Sequence, residues 1–355
     1  MAKLIAISGL GAKGPACFIL ETGRARLMLD LGYGPQPGLW PDVSGAGRVD
    51  ALVLSHGHRD HAGGLKLAPQ VGDPPLFATS AVLSRLGRDG TALSLRGDAI
   101  VFGTRVRTGR DGHAPGGIWM HFEIGDGVLY TGDYGVESPV YAYDEPPPAG
   151  TIVMDASYGD YAESLSGCAG ELARHFDAAA LLPVPADGRG PEIAYHLATA
   201  RGVLPCIGDD LRASLERLAG PERDSLRPGV VDVLARIARE APPLRGPEGV
   251  MLTGRADASE GEAGRLASQW ERDRGPEIVF TGYFPPSSPA ARLVESGRAR
   301  SVRWNAHPRV ADNIALVRSA GAKVVLPAFG DARHLAAWRA AFAPARVTLD
   351  REVDL

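Results

Sequence analysis

The sequence predicts a mixed α/β protein (α+β in its first part), and three observations carry that prediction. The first third is a series of short apolar runs separated by glycine-containing turns, the signature of hairpin strands. From about Glu163 onward, apolar runs alternate with segments of helical spacing, which suggests a small parallel sheet. One early apolar run also leads directly into a dense cluster of histidine and aspartate.

Taken in order, Leu4–Ser8, Ala16–Glu21 and Ala25–Asp30 read as hairpin strands. Ala51–Leu54 reads as a buried strand that ends at Ser55. A helix is expected to start near Ala62-Gly63-Gly64. Ile100–Thr108, Ile118–Ile124, Val128–Thr131 and Ile152–Asp155 are the next strands. Gly170–Ala180 has helical spacing at Leu172 and Phe176, and Ala180–Val184 is apolar and extended. Pro191–Ala200 and Val230–Ala241 read as helices, Val250–Thr253 and Glu277–Thr281 as strands. The last part gives a helix at Ala311–Ala320, a strand at Lys323–Pro327 and a helix at Ala332–Phe342.

Composition narrows the class. The 355 residues are ample for a proper core, and 45% are hydrophobic. No apolar run is long enough to span a bilayer, and the N-terminus reads as a first strand, so no membrane partner is expected. Cys17, Cys168 and Cys206 lie far apart without a CxxC spacing, which argues against a thiolate zinc site and a disulfide framework; a reducing, cytoplasmic setting is expected. The net charge of −4 is opposite in sign to that usual in nonspecific nucleic-acid binders. Lys3, Lys13, Lys66 and Lys323 are the only lysines, so basic groups are nearly all arginine.

His56-Gly57-His58-Arg59-Asp60-His61 carries the strongest chemical signal. Alternate residues of an extended loop point the same way, so His56 and His58 can reach one metal while Asp60 and His61 turn toward a second. Imidazole and carboxylate suit zinc, and also manganese or iron. His113 and Asp133 each end a strand; alone they are an ordinary loop histidine and a turn aspartate. As a set, His113 completes the first site and Asp133 bridges two cations, which at about 3.5–4 Å separation can stabilise an in-line displacement.

The series Asp30, His56-x-His58-x-Asp60-His61, His113 and Asp133 resembles the motifs of metallo-β-lactamase-fold hydrolases. Met154-Asp155-Ala156-Ser157-Tyr158-Gly159 resembles the "(E/D)-x-T-Y-G" motif of the β-CASP subfamily, which includes RNase J and the nuclease that cuts pre-mRNA 3′ ends. Leu182–Glu192 is similar to its "P-x-F-x-x-G-R-x-Q-E" segment, Val279–Tyr283 to its "T-G-Y" strand, and Trp304-Asn305-Ala306-His307 to its "F-S-x-H" motif.

That resemblance implies a four-layer αβ/βα sandwich over residues 1–160 and 300–355, with a β-CASP cap over 161–299. It implies hydrolysis of a phosphodiester in RNA or single-stranded DNA by metal-hydroxide attack. Asp60 would help position the attack, His307 would act as general acid, Asp155 would hydrogen-bond it and keep it protonated near neutrality, and Arg189 would bind phosphate. Asp30 would support the metal loop rather than bind metal.

Two departures stand out. The family's "V-H-G-(E/D)" histidine is matched by Phe329, so the second of two zinc sites is expected to be weak unless His334 or Asp331 substitutes; manganese is the alternative metal. Arg309 stands where the family has an acid. Competing readings are a hydrolase for a small phosphodiester or ester, and a catalytically impaired scaffold. A homo-oligomer is compatible with all of them.

Overall fold

In the computed structural model, which describes residues 2–355, the chain forms two units. Among the described residues, one comprises 2–136, Ala142–Ala162 and His307–Leu355, the other Glu137–Tyr141 and Glu163–Ala306.

The first unit holds two seven-stranded sheets. One runs, in spatial order, Glu352–Asp354, Lys3–Ser8, Cys17–Glu21, Arg26–Leu29, Ala51–Val53, Leu76–Thr79 and Thr91–Leu93. The other runs Arg346–Val347, Val324–Ala328, Thr151–Asp155, Val128–Tyr130, Ile118–Phe122, Thr104–Arg110 and Gly97–Val101. Strand alternation sorts their side chains. Phe18, Leu20, Leu27, Leu29 and Val53 meet Met120, Phe122, Val128, Tyr130, Val153 and Leu326 in one core between the sheets. The intervening residues face outward. Ile19, Met28 and Leu52 pack with Val82 and Leu83 of the helix Ser80–Leu86. Leu129, Ile152, Met154 and Val325 pack with Leu316, Val317 and Trp338 of the helices Val310–Ala320 and Leu335–Ala341. This is the helix–sheet–sheet–helix sandwich. Its strands are apolar on consecutive residues because both faces are covered.

The second unit is a five-stranded parallel sheet in the order Cys206–Ile207, Val250–Thr253, Ala180–Pro183, Glu277–Phe280 and Ala299–Ser301. Leu182, Leu252 and Val279 bury one face against Ile193, Leu197, Leu211, Leu215, Leu234 and Ile237. Leu181, Met251, Ile278 and Phe280 bury the other against Leu266, Trp270 and Leu293.

Residues 100–108, read from sequence as one strand, form two. Gly97–Val101 and Thr104–Arg110 pair antiparallel around Phe102-Gly103, both with positive φ. The helix expected at 170–180 begins earlier: Ser164 caps Leu165–Leu172 by accepting from the Gly167 N–H, and only a 3₁₀ turn follows, at Ala173–His175. Cys17, Cys168 and Cys206 are thiols, with no disulfide joining them. Among the described residues, no helix is long and apolar enough to cross a membrane.

Candidate metal centre

The ends of four strands in the first unit converge on one group of side chains. The ligand loop leaves Ala51–Val53 and turns into the short helix Arg59–Ala62. His113 follows Thr104–Arg110, Asp133 follows Val128–Tyr130, and Asp155 ends Thr151–Asp155. His56, His58, His113 and Asp133 each place one donor atom within 4.8 Å of the others; Asp60, His61 and Asp133 form a second such group, and Asp133, Asp155 and His307 a third. Asp133 belongs to all three. Its Oδ2 lies 3.6 Å from His113 Nε2, 3.9 Å from His56 Nε2 and 3.7 Å from His307 Nδ1, and its Oδ1 lies 3.1 Å from His61 Nε2.

Hydrogen bonds behind the cluster fix which ring nitrogens face inward. Asp30 is fully buried and accepts from Ser55 N–H, Ser55 Oγ–H, Tyr130 O–H and His61 Nδ1, all between 2.6 and 2.7 Å. Because the Ser55 hydroxyl donates to Asp30, its oxygen is left to accept from His56 Nδ1 at 3.0 Å. A neutral His56 then carries a lone pair on Nε2, a buried atom with no hydrogen-bond partner among the described residues. That lone pair faces a carboxylate oxygen, an arrangement that is repulsive until a cation stands between them. The donor set therefore fits a divalent cation, on the chemistry of nitrogen and oxygen donors and on this orphaned acceptor.

The electrostatics agree. Burial, reinforced by His61 and His58, holds His56 well below its ordinary pKa, in the neutral form that a ligand needs. Burial alone would depress His61, but Asp133 and Asp30 outweigh it and hold this imidazole well above its ordinary value. With Nδ1 donating to Asp30, only a proton or a cation on Nε2 reconciles His61 with Asp133. Burial works against the charge of Asp133, yet His61 and His307 keep it well below the usual carboxylate range.

Glycine makes the convergence sterically feasible at Gly132. Its φ is +55°, and a Cβ there would lie 2.6 Å from Ser55 Cβ. Asp111 shapes the His113 loop by accepting from the N–H groups of His113 and Ala114 at 2.8 and 3.3 Å. Burial pushes its carboxyl up to about 8.

His307 Nδ1 bonds Asp155 Oδ2 at 2.8 Å, and the His307 ring packs beside those of His113 and Tyr158. Asp155 also accepts from Ser157 N–H, and Asn313 ties its backbone carbonyl to the Tyr134 hydroxyl. Asp60 joins the second donor group, next to His61.

Phe329 stands against that second group, its ring 4.9 Å from the His61 ring and edge-on to it. Neither residue considered as its substitute joins a donor group among the described residues. His334 pairs with Asp160 at 3.1 Å, and Asp331 caps the 3₁₀ turn that follows it. Arg309 is occupied by Asp312 at the start of Val310–Ala320. Arg189 lies in the second unit as the first residue of the helix Arg189–Ala200, its guanidinium so close to Gly282 that a Cβ there would fall 1.8 Å from Nη1.

Sequence reasoning missed Ser55, Tyr130, Asp111 and Asn313. Ser55 directly precedes the ligand loop and was open to notice. Tyr130 and Asn313 carry no local signal, because their roles exist only once distant strands and helices pack.

Residues 10–170 match the metallo-beta-lactamase superfamily model. Transcription termination factor FttA of Methanosarcina mazei is 24% identical over 258 residues, covering 57% of this chain and 40% of that protein. An RNase J-like protein of Methanocaldococcus jannaschii is 40% identical over 52 residues, covering 15% and 12% of the two chains. The chain thus spans less than half the length of these relatives. A crystal structure of a protein of unknown function from Enterococcus faecalis superposes over 100% of both chains with a TM-score of 0.61 and 13% identity, a likeness of fold.

Proposed function

From the premise that this chain carries a metallo-beta-lactamase domain, we propose that it is a metal-dependent phosphodiesterase of β-CASP type that cuts RNA or single-stranded DNA. The observation that carries the reading is the convergence of His56, His58, His113 and Asp133 on one point, with His307 beside them on Asp155. The names of the relatives, a transcription termination factor and an RNase J-like protein, support nucleic acid as the substrate class.

In this reading His56, His58, His113 and Asp133 hold one divalent cation tightly, zinc by preference and manganese as the alternative. Asp60, His61 and Asp133 offer a second, weaker place with three donors and a phenyl ring in front of it. A bound cation supplies two things here: it brings the pKa of a coordinated water toward neutrality, and it offsets charge on a phosphoryl oxygen. Asp60 adds a carboxylate beside His61 to orient the attacking water. His307 donates its Nδ1 proton to Asp155, which fixes the ring and leaves Nε2 to deliver a proton to the departing oxygen. Arg189 is assigned to phosphate binding by its place in the Gly188-Arg189 segment. The cytoplasm is the proposed location, from the cysteines that form no disulfide and the nucleic-acid substrate.

The test is cleavage of end-labelled RNA, single-stranded DNA and bis(p-nitrophenyl) phosphate by wild type, His58→Ala and His307→Ala with zinc or manganese supplied. Cutting of RNA or single-stranded DNA that both substitutions abolish is the expected result. Survival of both polymers while the small diester is cut would overturn the nuclease reading.

A further inference from the structure

The first unit also carries an aromatic–cationic stack that the metal centre does not use. Four side chains lie in order: the Arg59 guanidinium is 4.2 Å from the Tyr33 ring centroid, the Tyr33 and Trp40 centroids are 4.0 Å apart, and Lys66 Nζ is 3.9 Å from the Trp40 centroid. Arg59 and Lys66 are exposed, and the two rings are half-buried. Among the described residues neither cation has a carboxylate partner, in contrast to Arg26 with Glu21 or Arg110 with Asp144.

The backbone locks this stack to the metal loop. Tyr33 N–H donates to Arg59 C=O at 2.9 Å, Leu31 N–H to His61 C=O at 2.9 Å, and Gly64 N–H to Leu31 C=O at 2.8 Å. Gly32 permits the approach, since a Cβ there would lie 1.7 Å from the Asp60 carbonyl oxygen. The Tyr33 hydroxyl accepts from Gly38 N–H at 2.7 Å, which holds the ring and the turn carrying Trp40 together. Arg59 itself sits between two proposed ligands, His58 and Asp60.

We propose that Arg59, Tyr33, Trp40 and Lys66 form a binding platform for single-stranded nucleic acid, placed to grip the strand next to the bond that is cut. This rests on the nuclease reading above. The chemistry selects the ligand class. Single strands are held by rings that take a base face and by cations that take the neighbouring phosphates, and this stack offers both at one spot. An acidic peptide needs the charges but not two adjoining rings, here inclined by 46° to one another. A neutral sugar would be met by carboxylates and amides at the ring edges, not by two cations that lack a carboxylate partner among the described residues. Lys66 has a flexible stem, so its ammonium moves from the ring to a phosphate as a base settles on Trp40.

The experiment is fluorescence anisotropy of the metal-loaded protein with a fluorescein-labelled phosphorothioate oligouridylate, which resists cutting, over a series of salt concentrations. Trp40→Ala is expected to weaken binding by about 5- to 150-fold and Trp40→Phe to restore most of it. Lys66→Ala is expected to reduce the slope of log affinity against log salt by about 0.7, and Lys66→Arg to restore it. Metal content measured on each variant shows that the adjoining loop is intact. Alanine variants that bind the oligonucleotide like wild type, from a protein that still cuts RNA, overturn the platform and leave the nuclease reading standing. A wild type that neither binds the oligonucleotide nor cuts RNA overturns both. Poly-L-glutamate competing equally well, with Trp40→Ala losing both ligands alike, makes the stack a general anion site and overturns the assignment to nucleic acid.

Discussion

Ser55 decides which nitrogen of His56 carries a proton, and through it Asp30 controls the face that His56 shows to a metal. Ser55→Ala is therefore expected to lower metal affinity by about 10- to 100-fold, read by competition with a chromogenic chelator. Unchanged affinity would separate Ser55 from the site. Asp155 acts on His307 in the same manner. Asp155→Asn should reduce kcat by about 10²- to 10⁴-fold on RNA, whose alkoxide leaving group needs a proton, and much less on a p-nitrophenyl ester, whose leaving group does not. Equal losses on both would remove His307 from the acid role. At Phe329 the backbone is left-handed, with φ +63°, a conformation histidine tolerates better than phenylalanine. Phe329→His should raise the metal content per chain, measured by plasma mass spectrometry, by supplying a fourth donor to Asp60, His61 and Asp133. These residue-level features were partly legible in the sequence. The spacing within His56–His61 marks a candidate ligand loop by itself, whereas His113 and Asp133 gain meaning only as members of a set.

At the scale of elements, the turn after Val128–Tyr130 and the start of the helix Arg189–Ala200 each make a separate prediction. Gly132→Ala forces a Cβ against Ser55 at a positive φ, so both the chain and the ligand loop must shift. A loss of about 1–3 kcal/mol in urea unfolding is expected, with weakened metal binding. In the helix, Glu192 is buried and accepts from Trp304 Nε1 at 2.7 Å. Burial pushes its carboxyl up to about 7, although Ser138 and Trp304 hydrogen-bond it and Arg189 and Arg227 lie near. The folded chain thus keeps a proton that the unfolded chain loses near pH 4.5, the ordinary value. Stability from this group is whole below about pH 4.5, falls as pH rises toward about 7, and is flat above, a span on the order of 3 kcal/mol. Glu192→Gln should flatten that part of the pH–stability curve; a variant with the wild-type slope would place the Glu192 titration elsewhere. Elements with strong apolar runs, such as Ala180–Pro183 and Val250–Thr253, were legible from sequence. The hairpin turn at Phe102-Gly103 was not, because phenylalanine at positive φ gives no warning in the residue pattern. The helix at Leu165–Leu172 begins at Ser164, a capping signal that outranks the weaker periodicity further along.

Over the whole molecule, sequence order and spatial order part company. The strand Glu352–Asp354 pairs with Lys3–Ser8, and Val324–Ala328 lies beside Thr151–Asp155, so the first unit closes only when the segment His307–Leu355 returns to it. No local pattern announces such pairings. His307 belongs to this returning segment, as does Phe329. On the proposed function, a site assembled from both ends of the chain ties metal binding to folding. Chelation should lower the melting temperature of wild type, and added zinc should raise it with concentration, by about 2.7 kcal/mol of stability at a hundredfold excess over Kd. The most direct measurement of the central claim is anomalous diffraction from crystals grown with zinc or manganese, collected on either side of the metal's absorption edge. The account predicts a strong peak at bonding distance from His56, His58, His113 and Asp133, and a weaker one or none beside Asp60 and His61. A metal-soaked crystal with no peak among those four residues, or with its only peak elsewhere, would contradict it.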